Sequence, residues 1–228
     1  MTMSPLLPPL DAHHPRSMAD QVYDMLYERI INLTLPPGTK LSEAEVAAQL
    51  GVSRQPVRDA FYRLSQLGFI QIRPQRATTV APISKDAIVR AYFIRSALEE
   101  ATMRVAATNL KPVHLTALQD ILVRQEDALR MADKTGFHAL DDQFHHDICN
   151  YSGLGFGWAV IKENKGHMDR ARYLSLSFGA PRALAEHHDI LDALRAGDGD
   201  GAAAAVKRHL NHIDEIIDWL QTTQPEVF

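Results

Sequence analysis

The sequence predicts a mainly α-helical protein: an N-terminal winged helix-turn-helix with a small β-hairpin wing, then a C-terminal all-α helical bundle. Three observations predict it. The run Ser53–Ile70, SRQPVRDAFYRLSQLGFI, sets Val57, Ala60, Phe61, Leu64 and Leu67 at helical spacing, with Arg54, Arg58 and Arg63 on the opposite face. Ser53 stands there as N-cap and Gly68 as stop. The preceding LSEAEVAAQLGV, residues 41–52, is a second short helix with Leu41, Val46, Ala47 and Leu50 on one side and Gly51 at the turn. From Ser84 onward, finally, every patterned stretch has helical periodicity and none alternates as a strand would.

Residues 1–16 are proline-rich and aperiodic, which predicts a disordered tail. Ser17–Leu33 carries Val22, Leu26, Ile30 and Leu33 on one face, a helix closed by the turn Leu35-Pro36-Pro37-Gly38. After the two helices above, Phe69–Ile72 and Thr78–Val80 are β-prone runs on either side of Arg73-Pro74-Gln75-Arg76, a hairpin with a basic tip. Pro82 and Ile83 form the join. The bundle then reads as helices at about 84–109, 112–133, 136–151, 157–178, 181–196 and 200–222, with one of the breaks at Gly179 to Pro181. Short connections make neighbouring helices antiparallel. The boundaries so drawn are 17–82 for the winged helix, 83–222 for the bundle and 223–228 for a tail.

Charge narrows the function classes. The 228-residue chain has a net charge of −4, yet Arg54–Arg76 holds five arginines against the single acid Asp59, whereas residues 83–228 hold 16 basic and 21 acidic side chains. The net charge argues against indiscriminate nucleic-acid binding, and a small basic patch on an acidic body fits a DNA-docking surface joined to a domain with another task. Arginines at the start of the second helix suit a major groove, and a wing arginine suits the adjacent backbone or minor groove. The single Cys149 excludes an intramolecular disulfide framework and fits a reducing, cytoplasmic setting. No apolar run has the length of a membrane span, and Pro5, Pro8 and Pro9 interrupt the N-terminal leucines.

The second half carries its own chemistry. Asp141 and His145 are one turn apart, His187 shares a face with Ile190, Leu191 and Leu194, and His209 shares one with Ala205, Val206, Ile213 and Ile216. Three neutral imidazoles and a carboxylate directed into a bundle suit a divalent transition metal, with positions left for water or a ligand oxygen. The same periodicity fits histidines that only pack, and an i,i+4 Asp–His pair stabilises a helix by itself. Cys149, one turn after His145, reads as a small buried thiol. Arg95 is either the partner of Glu99 one turn on or a receptor for a carboxylate; spacing alone favours the ion pair.

From Pro37 to Ile70 the sequence PGTKLSEAEVAAQLGVSRQPVRDAFYRLSQLGFI resembles the GntR family of bacterial transcription regulators. The second half is similar to the FCD ligand-binding domain of the FadR-like subfamily. That likeness rests on Asp141 with Phe144-His145, Glu186-His187-His188-Asp189-Ile190-Leu191-Asp192-Ala193, Gly197-Asp198 and His209-Leu210. The resemblance implies a homodimeric repressor or activator, with repression the expectation, that reads pseudo-palindromic double-stranded operator DNA. Its helical domain is expected to bind a small carboxylic-acid effector. The implied metal ligands are Asp141, His145, His187 and His209, with zinc or nickel ahead of manganese or iron. The implied effector residues are Arg95, with Arg172 behind it. The implied DNA contacts are Ser53, Arg54, Gln55 and Arg58 in the recognition helix and Arg76 in the wing. Ala44, Ala77 and Leu154 depart from the family pattern, at a DNA-contacting Arg, the wing-tip Gly and an Asn respectively. The competing expectation is a metal-dependent enzyme acting on a small carboxylic acid. Against it, no general base stands at a recognisable spacing from the ligands.

Overall fold

The computed structural model describes residues 17–73 and 77–228, so the expected tail at 1–16 and the wing residue Arg76 lie outside the described residues. By its contacts the chain forms two units. One holds Thr39–Ala81 with the first helix as far as Arg29; the other holds Ile30–Gly38 and Pro82–Phe228.

The first part of the chain comprises α1 (Met18–Ile31), β1 (Lys40–Leu41), α2 (Glu43–Leu50), α3 (Arg54–Gln66), β2 (Ile70–Gln71) and β3 (Thr78–Val80). Ser42 caps α2 by accepting the Glu45 N–H, and Gly51 ends it at φ 66°, a left-handed conformation open to glycine at little cost. On α3 the expected Val57, Ala60, Phe61 and Leu64 are buried. Leu67 is not: α3 stops at Gln66 and the chain turns at Gly68, φ 78°, before a fifth apolar position can reach the core. Leu33 likewise lies beyond the end of α1, at φ 61°. The wing is a three-stranded antiparallel sheet of order β1-β3-β2, in which Leu41 pairs with Thr78 and Ile70 with Val80. The added strand is two residues long, too short for a periodicity to reveal it.

The second unit is a helical bundle of α4 (Lys85–Asn109), α5 (Pro112–Arg130), α6 (Lys134–Tyr151), α7 (Gly155–Asn164), α8 (Gly166–Arg195), α9 (Gly199–Leu210) and α10 (Ile213–Thr223). Three expectations are corrected. The break at Gly179 to Pro181 does not occur, because α8 runs through both residues for 30 residues in all. Pro181 removes one ladder hydrogen bond, but Leu176, Ala180 and Leu184 around it are buried in the core and hold the helix across the gap. The break falls instead at Lys165, whose ammonium is taken by Asp142 and Asp169. The helix expected over 200–222 is two, parted at Asn211-His212. Residues 223–228, expected as a tail, include a 3-10 turn at Pro225–Val227. Val227 is buried with Ile83, Ile88 and Leu220, and its carbonyl accepts the Ile83 N–H at 2.7 Å. The main core gathers Met103, Leu118, Leu122, Phe144, Ile148, Ile190, Leu194 and Val206 from α4, α5, α6, α8 and α9. These helices also carry the polar site described next.

Candidate functional site

Helix α6 turns a stripe of Phe137, Leu140, Asp141, Phe144, His145, Ile148 and Cys149 inward, so Asp141 and His145 enter the core together. His187 arrives from α8 and His209 from α9. All four are buried, and one ligand atom from each lies within 4.8 Å of the others. His187 Nε2 is 3.4 Å from Asp141 Oδ1 and 3.3 Å from His209 Nε2. The His145 ring centroid is 5.2 Å from each of the other two rings.

Each ring has an oxygen behind it. His187 Nδ1 donates to Gln125 Oε1 at 2.8 Å, His209 Nδ1 donates to Glu186 Oε2 at 3.1 Å, and His145 Nδ1 lies 2.5 Å from Glu99 Oε2. Backing the outer nitrogen with an acceptor fixes its proton there and leaves the inner Nε2 as a lone pair, the arrangement metal-binding histidines use. Burial pushes the His187 imidazolium down, and burial together with His187 pushes His209 down to about 3, so both rings are neutral. Burial would raise the Asp141 carboxyl, but Arg172 and His187 outweigh it and hold it well below the usual carboxylate range. The result is a carboxylate and bare imidazole nitrogens converging in a buried site. Asp141 Oδ2 and His145 Nε2 have no hydrogen-bond partner there. Converging lone pairs repel, and a divalent cation relieves that repulsion; the donor set fits one.

The two effector candidates are both engaged. Arg95 is fully buried and donates from Nε to Glu99 Oε1 at 2.6 Å, while its Nη1 and Nη2 are buried without a partner. The ion pair favoured by spacing therefore forms, and it still leaves the end of the guanidinium uncommitted. Arg172 Nη2 donates to Asp141 Oδ1 at 2.8 Å. A cavity of about 50 Å³ lies beside Arg172 and His209, lined also by Ser175, Glu186 and His212.

On α3 the residues Ser53, Arg54, Gln55 and Arg58 are all exposed. The Ser53 hydroxyl makes no capping bond although the residue sits at the N-cap. Gln55 donates to Asp59 at 2.8 Å, and Arg58 reaches Glu43 of α2 through Nε and Nη2, both at 3.3 Å. Arg63 is occupied differently. It donates to Asp20 of α1 at 2.7 Å and lies 4.1 Å over the Tyr23 ring, so it ties the helices together.

Comparison with known proteins agrees with this geometry. Residues 18–80 match the bacterial regulatory proteins of the gntR family, and residues 90–212 match the FCD domain. The HTH-type transcriptional repressor RspR of Escherichia coli is 36% identical over 210 residues, covering 91% of this chain and 92% of that protein. A probable D-xylose utilization operon transcriptional repressor of Paenarthrobacter nicotinovorans is 31% identical over 85% of this chain and 86% of its own. The solved structure of E. coli McbR/YncC superposes with a TM-score of 0.77 at 25% identity, over 90% of this chain and 99% of that one. The chain belongs to the GntR family. As a GntR regulator with an FCD domain it is a transcriptional regulator and not an enzyme. No helix among the described residues is long and apolar enough to cross a membrane.

Several roles at this GntR site were not legible in the sequence, although Glu99 and Glu186 were named there for other reasons. Glu99, Gln125 and Glu186 back the three rings. Glu186 adjoins His187, and Gln125 is an amide on the otherwise apolar Leu118, Ile121, Leu122, Ala128 face of α5, which was its available signal. A second polar cluster was also missed: Lys165 Nζ lies 2.7 and 2.9 Å from the two Asp142 oxygens and also meets Asp169, with His138 beside them. There a lysine supplies the cation.

Proposed function

We propose that this GntR chain is a homodimeric, ligand-responsive repressor, with a divalent metal held by Asp141, His145, His187 and His209 and a small carboxylic acid as effector. The reading is supported most by one observation, the four buried ligand atoms within 4.8 Å, each ring backed by an oxygen acceptor. A bound divalent ion supplies positive charge and open coordination positions for a ligand oxygen. Zinc or nickel suits a donor set rich in imidazole. The uncommitted Nη1 and Nη2 of Arg95 and the buried Nη1 of Arg172 offer an acid its charge-assisted hydrogen bonds. Repression follows the names of the two relatives given above.

On DNA, Arg54 and Arg58 are the base-reading candidates, each worth about 1–3 kcal/mol of discrimination as a bidentate guanine contact. Ser53 and Gln55 stand beside them at the start of α3. Arg58 exchanges its exposed contact with Glu43 for the DNA, an exchange of low cost because surface ion pairs are weak. Two copies related by a two-fold axis read the halves of a pseudo-palindrome, and the effector acts by preferring one arrangement of the dimer.

The test is metal analysis of the purified protein and of His187→Ala, with operator binding measured on both across a panel of small carboxylic acids. The reading expects stoichiometric zinc or nickel in the wild type, its loss in the variant, and an acid that changes operator affinity only when metal is present. Equal metal content in the two proteins removes His187 from the site. An acid response that survives chelation moves the receptor to Arg95 and Arg172 alone.

A further inference from the structure

We propose that Glu99 is a positioning residue for both halves of the ligand site, orienting the metal ligand His145 with one carboxylate oxygen and the anion receptor Arg95 with the other. The inference rests on the metal-site reading above. Glu99 lies on α4 one turn after Arg95 and is buried. Its Oε1 accepts from Arg95 Nε at 2.6 Å, and its Oε2 lies 2.5 Å from His145 Nδ1. An anionic oxygen can approach a ring nitrogen this closely only with a proton between them, so Nδ1 carries the hydrogen. In the neutral ring His145 Nε2, the nitrogen facing His187, His209 and Asp141 in the cluster, is then the bare ligand atom.

The other two rings are held less firmly. His187 leans on the neutral amide of Gln125, and His209 on a half-buried Glu186 that His212 also shares at 2.6 Å. Of the three rings, only His145 has a buried anion at its Nδ1. On the other side, taking Arg95 by Nε leaves the end-on Nη1/Nη2 fork, which matches a planar carboxylate. A cation on His145 Nε2 strengthens Nδ1–H as a donor to the same carboxylate that fixes Arg95. Metal and anion binding are thereby linked, and the linkage is reciprocal.

The test uses Arg95→Met/Glu99→Leu, which removes both buried charges and so spares the fold the cost of leaving one unpaired. Arg95→Met/Glu99→Gln keeps an oxygen acceptor for Nδ1. In the metal-free wild type, long-range proton–nitrogen NMR is expected to find His145 protonated at Nδ1. The Leu variant should move it to the Nε2–H form, and the Gln variant should restore Nδ1–H. Zinc Kd, from competition with a chromophoric chelator, should rise about 10- to 100-fold in the Leu variant and recover in the Gln variant. Wild-type His145 in the Nε2–H form, or wild-type zinc affinity in the Leu variant, overturns the role of Glu99. Absence of zinc binding by the wild type overturns the metal reading instead, and the tautomer spectrum then still decides whether Glu99 sets the ring.

Discussion

Arg58 with Glu43, and Arg95 with Glu99, are the same chemical pair in opposite settings. The first spans α2 and α3 at 3.3 Å with side chains 59% and 27% exposed; the second lies within α4 at 2.6 Å with side chains 0% and 1% exposed. Water screens the first, which contributes at most about 1 kcal/mol and parts easily. The second has lost its hydration and is expensive to break, since either partner left alone is an uncompensated buried charge. An arginine that must change partners belongs in the first setting. An arginine that must wait in a fixed position belongs in the second.

The contrast can be broken at several points. Arg95→Met or Glu99→Leu alone should cost roughly 3–5 kcal/mol of stability by urea denaturation, and the double variant much less. A single-variant loss below about 1 kcal/mol would mean that the pair is hydrated in solution. Next in size, Arg58→Ala should weaken operator binding by about 1–3 kcal/mol and relax sequence preference, read from titrations on operator and random duplexes. An equal loss on both duplexes would make Arg58 a phosphate contact.

Acid sharpens the same division. The folded-state pKa of His209 is about 3 against an ordinary 6.5, and that of His187 is also depressed. The unfolded chain therefore binds more protons below pH 6.5, and stability of the metal-free protein should fall as pH drops from there toward 3. Each ring contributes up to about 1.4 kcal/mol per pH unit, measurable as a shift of the denaturation midpoint between pH 7 and 5. A flat profile would place these rings in water. The smallest effect should come from Glu43→Ala, within about 0.5 kcal/mol of wild-type stability, with operator affinity unchanged or slightly raised because Arg58 starts unpaired.

Legibility in the sequence followed the kind of force at work. Stripes were readable: α3 buries four of the five apolar residues that spacing assigned to it, and α6 brings Asp141 and His145 inward as its period requires. Partners were not. That Gln125 of α5 backs His187 of α8, or that Glu99 of α4 backs His145 of α6, depends on how helices meet, and no local pattern encodes it. Punctuation misled in both directions. Pro181 was a strong breaker overruled by buried neighbours, and the true break at Lys165 is held by side-chain charge, with backbone angles that remain helical. The strand Lys40–Leu41 exists only because Thr78–Val80 is there to pair with it.

Pro181 has a mechanical side. Arg172 and His187 sit on one helix, separated by about 22 Å at 1.5 Å of rise per residue, and the proline lies between them. With one rung of its ladder absent, α8 is a beam with its softest section between two loads, one on Asp141 and one beside His209. Bending α8 between these two ends breaks the fewest backbone hydrogen bonds at the proline.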